Sequence, residues 1–156
     1  MKKLIISLSI TFGAIIIICT VFLCTSGLGT VILEQRILAK KADISGVEIT
    51  LADTNEYTSD ELKSAAQALK KHFSKQKNLT LNKIWYTDEE CLPIIEEEKK
   101  QKHEEDIIVL YAKFTMDEKE WHIDQGFEPN GIYEWFYLLT KNQDGTWTKT
   151  NTYGVW

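Results

Sequence analysis

The residues best suited to chemistry lie in the segment WHID, residues 121–124. Side chains two residues apart on a strand point to the same side, so His122 and Asp124 would be neighbours. Beside the hydroxyl of Tyr111 or Tyr133, such a pair could act as general acid and base. The same spacing is typical of the polar, solvent-facing side of an edge strand. Because spacing does not establish geometry, we predict no catalytic residue and keep His122 and Asp124 as candidates only.

Three other groups have reactive or metal-binding side chains but do not predict a site. The run HEED at residues 103–106 contains ligand types, yet consecutive residues rarely converge on one ion. His72 flanks Phe73 on a lysine-rich segment. Cys91 follows a predicted helix start, which could lower its thiol pKa, but Cys19 and Cys24 lie in an apolar segment elsewhere. We therefore predict an inert thiol, no metal and no cofactor.

Aromatic residues are the second candidate group, since the chain contains five Trp and six Tyr. Ligand pockets are mostly apolar with a few polar groups, so Trp85, Tyr111, Tyr133 and Trp135 are candidates for lining one. The same side chains could instead form the core, where burial of each large apolar side chain contributes roughly 1.5 to 3 kcal/mol. The sequence leaves both interpretations open.

Residues 4–33 contain no charged side chain, whereas a helix needs about 20 apolar residues to span a membrane. Lys2 and Lys3 precede this run as in a secretory signal, but the run exceeds the usual signal core of about 7 to 15 residues. We predict a single-pass membrane anchor over residues 4–26 and an extracytoplasmic carboxyl-terminal domain. Cleavage near Gly27 and lipidation of Cys24 remain alternatives.

The predicted domain organisation has three parts. Residues 1–33 form the anchor or signal, residues 34–56 form a juxtamembrane linker with a possible short strand, and residues 57–156 form an α+β domain. The chain has 18 basic and 23 acidic residues, a formal net charge of −5. This sign argues against nucleic acid as a partner and leaves the membrane and envelope proteins as candidate partners.

Local patterns predict the elements of the α+β domain. Thr58 and Glu61 have the spacing of a capping box, and apolar residues then recur every three or four positions. The stripe comprises Leu62, Ala65, Ala66, Leu69 and Phe73. LTLNKIWY, residues 79–86, predicts a strand, and Thr87 predicts a second helix start, which Pro93 should kink or interrupt. IIVLYAKF, residues 107–114, predicts a strand buried on both faces until Lys113.

The carboxyl terminus predicts a β-hairpin. Apolar residues on both parities of residues 132–139 precede Asn142-Gln143-Asp144-Gly145, a turn with glycine where a positive φ is needed. We expect an exposed turn and burial of Trp147 and Trp156 in the returning strand.

The capped helix, the strand ending in Trp85-Tyr86 before acidic residues, and the terminal tryptophan hairpin carry a resemblance over residues 57–156. The chain resembles an uncharacterised family of membrane-anchored or lipoprotein domains from Gram-positive bacteria, with the cone-shaped α+β fold of nuclear transport factor two and ketosteroid isomerase. This resemblance implies a long amino-terminal helix on a curved, mostly antiparallel sheet, here preceded by one transmembrane helix. It implies no catalytic residue.

Three functions are compatible with this interpretation. The favoured one is a membrane-anchored, noncatalytic binding or interaction domain. The alternatives are a cone-pocket enzyme using His122 and Asp124, and a scaffold in an envelope or conjugation assembly.

Overall fold

The computed structural model describes residues 39–102, 106–118 and 126–154, which form five strands and two helices. Their order is β1 (Glu48–Leu51), α1 (Ser59–Phe73), β2 (Leu79–Tyr86), α2 (Asp88–Lys102), β3 (Ile107–Met116), β4 (Ile132–Lys141) and β5 (Trp147–Gly154). All five strands belong to one sheet, in which they lie in chain order. β1 runs parallel to β2, and the other neighbouring strands are antiparallel.

Helix α1 begins and packs as the sequence predicts. Thr58 accepts a hydrogen bond from the Glu61 amide, and the Glu61 carboxylate accepts one from the Thr58 amide, which completes the capping box. The predicted stripe is buried along the helix: Leu62, Ala65, Ala66, Leu69 and Phe73. Phe73 lies against Phe114 and Tyr137, with ring centroids 5.6 and 5.3 Å apart. The sheet surface beneath these contacts is called the α1 face.

Helix α2 lies against the opposite surface of the sheet, called the α2 face. The indole nitrogen of Trp85 on β2 donates to Glu90 at 2.8 Å, and the Tyr153 hydroxyl on β5 donates to Glu98 at 2.7 Å. The helix continues through Pro93, which costs it one backbone hydrogen bond because proline has no amide hydrogen. A helix over this segment is thus confirmed, without the predicted interruption.

Strand β3 is the central strand and is covered on both sides. Ile108 and Leu110 face α1, whereas Ile107 and Val109 face α2, and all four are buried. From Tyr111 onward, burial alternates because the α2 face beside this part of the strand is only partly covered. The prediction of two-sided burial until Lys113 is therefore confirmed for the first half of the strand.

The terminal hairpin also forms. Gly145 has a φ of +82°, the conformation that the predicted turn requires, and the turn is exposed. The Asn142 side chain donates to Thr146 and Thr148, which ties the turn to the start of β5. Trp147 is 7% exposed, so its predicted burial is confirmed. Trp156 lies outside the described residues.

The predicted fold class is wrong. The segment assigned to a linker with a possible strand contains β1, and α1 returns the chain so that β1 and β2 run parallel, which makes the sheet mixed. Helix α1 has 15 residues and follows β1 in the described chain, and α2 covers the opposite face. The domain therefore has helices on both sides of the sheet, unlike a long amino-terminal helix on a cone-like sheet.

The predicted membrane segment, residues 4–26, lies outside the described residues. Among the residues that the structure does describe, no helix has the length and apolar character needed to cross a membrane.

The packing of α1 predicts a large effect of Phe73→Ala on stability. Phe73 is 2% exposed, and truncating such a side chain typically costs about 3 to 5 kcal/mol of unfolding free energy because a cavity remains. Urea unfolding of the full chain, followed by tryptophan fluorescence, measures this loss. Gln67→Ala on the exposed side of the same helix should change stability by less than about 0.5 kcal/mol. Equal effects of the two substitutions would contradict the assigned packing.

Candidate functional site

The four predicted pocket residues lie on two faces of the sheet. Trp85 and Tyr111 are stacked on the α2 face with ring centroids 5.2 Å apart. Tyr133 and Trp135 lie on the α1 face, where both contact Phe127. The structure therefore brings these residues together as two pairs, separated by the sheet.

The first pair belongs to an aromatic ladder that crosses four strands. Tyr111 contacts Phe136, and Phe136 stacks on Tyr153 with ring centroids 4.9 Å apart. Both ends of the ladder, Trp85 and Tyr153, donate hydrogen bonds to glutamates of α2. These contacts account for the ladder as the surface on which α2 packs, since cross-strand aromatic pairs stabilise a sheet.

The candidates for acid–base chemistry, His122 and Asp124, lie outside the described residues, as do residues 103–105. Where the chain is described, no three histidine, cysteine, aspartate or glutamate side chains are close enough together to hold a metal ion. Tyr111 is described, and burial raises the pKa of its hydroxyl.

Cys91 lies on α2 and is fully buried. Burial raises the pKa of its thiol to about 12, and the nearby charges of Glu90 and Asp88 act in the same direction. The thiolate is the reactive form, so this thiol is inert at neutral pH. The possible lowering of the pKa by the helix start is outweighed by loss of solvent.

A groove with a volume of about 230 Å³ lies between the carboxyl-terminal half of α1 and the start of β5. We call it the cationic groove. Its walls are formed by Ala68, Lys71, His72, Lys75, Trp147, Thr148 and Lys149. The volume equals that of roughly eight water molecules, each taking about 30 Å³ in the liquid. It can therefore hold a small ion or one charged group of a larger ligand.

Helical and strand spacing bring the cations of the groove together. Lys71 lies in the last turn of α1 and Lys75 in the turn that follows the helix, and both line the groove. Lys149 lies two residues after Trp147 on β5, so both side chains point to the α1 face. Trp147 is buried and forms an apolar wall, while Lys71 and Lys75 are exposed at the rim.

Within the described parts of the chain, no carboxylate neutralises the positive charge of the groove. Among the residues that the structure describes, none of Lys71, Lys75 and Lys149 forms an ion pair, and no acidic side chain lines the groove. By contrast, Lys83, Lys113 and Lys141 are each paired with a glutamate at 2.8 to 3.0 Å. A surface that gathers like charges on an acidic protein is suited to an anion.

The dipole of α1 opposes anion binding only weakly. A helix carboxyl terminus carries about half a negative charge, and the three lysines together exceed it. In addition, the carbonyls of Lys70, His72 and Phe73 already accept hydrogen bonds from the following turn. The dipole explains cations on α1 itself, but it does not explain why Lys149 of β5 is placed opposite them.

His72 is half-buried in the wall of the groove. Burial lowers its pKa, and the positive charges of Lys149 and Lys75 lower it further. Its Nε2 atom is 3.3 Å from the Nε2 atom of the Gln76 amide. An amide nitrogen can only donate, so a hydrogen bond between these two atoms requires a neutral imidazole whose Nε2 atom accepts.

A second, smaller cavity of about 50 Å³ lies between the end of β1 and the start of α1. Tyr57 lines it and donates from its hydroxyl to the Ile107 carbonyl at 2.8 Å. Burial, with the nearby charge of Glu56 in second place, raises the pKa of Tyr57 to about 12. A cavity of this size has room for only a few water molecules.

Sequence patterns identify parts of the cationic groove but not the site. His72 does lie in the last turn of α1, beside Phe73, and Trp147 is buried, as the sequence predicts. The missing information is the pairing of β5 with β4, which places Lys149 opposite α1. Two features of the sequence point to the groove. Lysines cluster near the end of α1, and the segment Trp147-Thr148-Lys149 follows far along the chain.

Compared with known proteins, the chain matches no protein-family model, no curated protein and no solved structure. The resemblance to the Gram-positive family stays a prediction.

The burial of Cys91 predicts that its thiol resists alkylation in the folded protein. Iodoacetamide at pH 8 should label Cys91 in urea but leave it almost unlabelled under native conditions. Mass spectrometry of the peptide that contains Cys91 measures both values in the full chain. Rapid native labelling would show that the thiol is accessible and would contradict the assigned burial.

Proposed function

We propose that this chain is a noncatalytic binding domain, held at a membrane through residues 4–26, that binds an anionic group in the cationic groove. The observation that carries the proposal is the convergence of Lys71, Lys75 and Lys149, unpaired among the described residues, around one cavity. The groove combines three ammonium groups, one imidazole and an apolar indole wall, so binding of an anion is the function that its composition favours.

Electrostatics supports an anion over a neutral ligand. Lys71 on α1, Lys75 on the turn after it and Lys149 on β5 repel one another, because all three carry a positive charge and line one groove. A bound anion would replace these repulsive interactions with attractive ones. Because Lys71 and Lys75 are exposed, the attraction should weaken with salt, since the screening length is about 10 Å at 0.1 M ionic strength.

The shape of the groove sets the size of the bound group. Drug-sized ligands occupy pockets of about 300 to 1,000 Å³. The cationic groove, at about 230 Å³, is smaller than these pockets. A phosphate, sulfate or carboxylate group can enter it and be surrounded by lysine ammonium groups. The Trp147 wall offers an apolar surface to whatever part of the ligand carries the charge.

The proposal predicts saturable binding of inorganic phosphate to the full chain in uncharged detergent micelles at low salt. Lys75→Gln and Lys149→Gln should each weaken binding about tenfold, since a hydrogen bond to a charged group contributes about 1.5 kcal/mol. Isothermal titration calorimetry measures the dissociation constants.

Lys63→Gln provides the matched control. Lys63 is on α1 but lies near Asp60, 3.9 Å away, and outside the groove. Lys63→Gln removes the same unit of charge as the other two substitutions. Because Lys63 does not line the groove, the substitution should change the dissociation constant for phosphate less than about twofold. Equal losses in all three variants would mean that net charge alone attracts the anion, and the groove would then have no specific role.

The proposed location predicts that external protease digests the domain in intact cells. With an epitope tag at the carboxyl terminus, the tag signal should disappear when protease is added, while a cytosolic marker protein stays intact. Fractionation should recover the untreated chain with the membranes after an alkaline carbonate wash. A domain that survives protease until the cells are lysed would place it on the cytoplasmic side.

A further inference from the structure

The cationic groove contains one proton acceptor among its basic residues, the His72 imidazole. We propose that the groove binds a doubly charged tetrahedral oxyanion, the phosphate group of a phosphorylated ligand, and that His72 takes up a proton as it binds. This inference rests on the proposed function and adds the ligand class and a dependence on pH.

The position of His72 is more fixed than that of the lysines around it. Its ring contacts Phe73 and Tyr137, with centroids 5.8 and 6.3 Å apart, and it is half-buried between α1 and the sheet. The lysine side chains reach the groove on flexible stems. The imidazole is therefore a preorganised donor, provided that it carries a second proton.

Every charged group that faces His72 among the described residues is positive. Lys71 and Lys75 are on α1 and the turn that follows it, and Lys149 is on β5. From β4 the neighbouring group is Tyr137, whose pKa is raised by burial, so its hydroxyl stays neutral throughout the physiological range. The empty groove thus disfavours a fourth positive charge, in agreement with the lowered pKa of His72.

A bound dianion changes this balance. Its two negative charges offset two of the three lysine charges, and an imidazolium in direct contact with it can donate a charge-assisted hydrogen bond to an anionic oxygen. A carboxylate has one negative charge and two oxygens in one plane, so it gives the imidazolium less stabilisation than a phosphate or sulfate. The step is balanced: one proton from solvent binds to the imidazole ring as the anion enters, and no covalent bond to the ligand changes.

Gln76 can accommodate both states of the ring. When His72 is neutral, the amide nitrogen of Gln76 donates to the Nε2 atom of the imidazole. When Nε2 becomes protonated, rotation of the amide by about 180° presents its oxygen as an acceptor. Alternatively, the new N–H can point at the anion. Gln76 can therefore form a hydrogen bond with either protonation state of the ring.

Sulfate is the suitable probe because its charge stays constant between about pH 5 and pH 9. The full chain in uncharged detergent micelles is titrated with sulfate at constant ionic strength over this range. We expect affinity to rise as pH falls, by up to about tenfold for each unit by which sulfate raises the His72 pKa. The rise should level off once His72 is also protonated in the empty groove.

His72→Gln removes the titrating group and keeps a hydrogen-bonding side chain. It should still bind sulfate but with an affinity that does not depend on pH in this range. In addition, the ring protons of His72, assigned with this variant, should titrate at higher pH with sulfate than without it. If His72 had only a structural role, its ring protons would titrate at the same pH with and without sulfate.

The phosphate group could belong to a soluble compound or to a lipid headgroup. Competition against sulfate with glycerol 3-phosphate or with dioctanoyl phosphatidic acid in the micelles separates these sources. The compound that competes at the lower concentration identifies the source, and either result supports the inference. Competition by acetate as strong as by both phosphates would overturn the dianion preference.

The two proposals fail in different ways. Sulfate binding that is equally tight at about pH 5.5 and pH 8, in both wild type and His72→Gln, overturns the coupling to His72 but leaves anion binding in place. The absence of saturable binding of sulfate and phosphate at low salt overturns both.

Discussion

The burial of β3 on both faces is the constraint on which the rest of the structure depends. Ile107 to Leu110 expose almost no surface to solvent, so each face of the sheet needs a helix above this strand. Helix α1 supplies an apolar stripe of five residues to one face, whereas α2 supplies fewer, among them Cys91 and Ile95. Two glutamates of α2 add polar contacts with the aromatic ladder. Glu90 accepts a hydrogen bond from the indole of Trp85, and Glu98 accepts one from the hydroxyl of Tyr153.

The position of α1 on this core determines where the cationic groove forms. At its amino-terminal end the helix is held by Glu61, which forms an ion pair with Lys141 on β4 at 2.8 Å. At its other end Phe73 packs on Tyr137, so the last turn passes over β4 beside β5. Lys71 in that turn and Lys75 just after it then lie beside the same groove as Lys149. Like charges are thus held together by apolar packing, whose contribution exceeds the weak repulsion between exposed ammonium groups.

Local structure could be predicted from sequence where one pattern determined it. The capping box at Thr58, the stripe ending in Phe73 and the turn at Gly145 were all found, because their signals span only a few residues. The fold class was missed because the role of residues 48–51 depends on pairing with β2 across α1, which no local pattern encodes. The groove was missed for the same reason, since Lys149 is far along the chain from α1. Trp85 and Trp135 could not be assigned to opposite faces of the sheet, because residue type does not determine the face on which an aromatic ring lies.

The central claim is that the cationic groove binds an anion at one place rather than through diffuse positive charge. The most direct measurement is a titration of the isotope-labelled full chain with phosphate, followed by backbone amide chemical shifts. Saturable changes centred on residues 71–76 and 147–149, with one common dissociation constant, are predicted. Changes that grow linearly with phosphate, or that spread over lysines such as Lys63 and Lys83, would contradict the account.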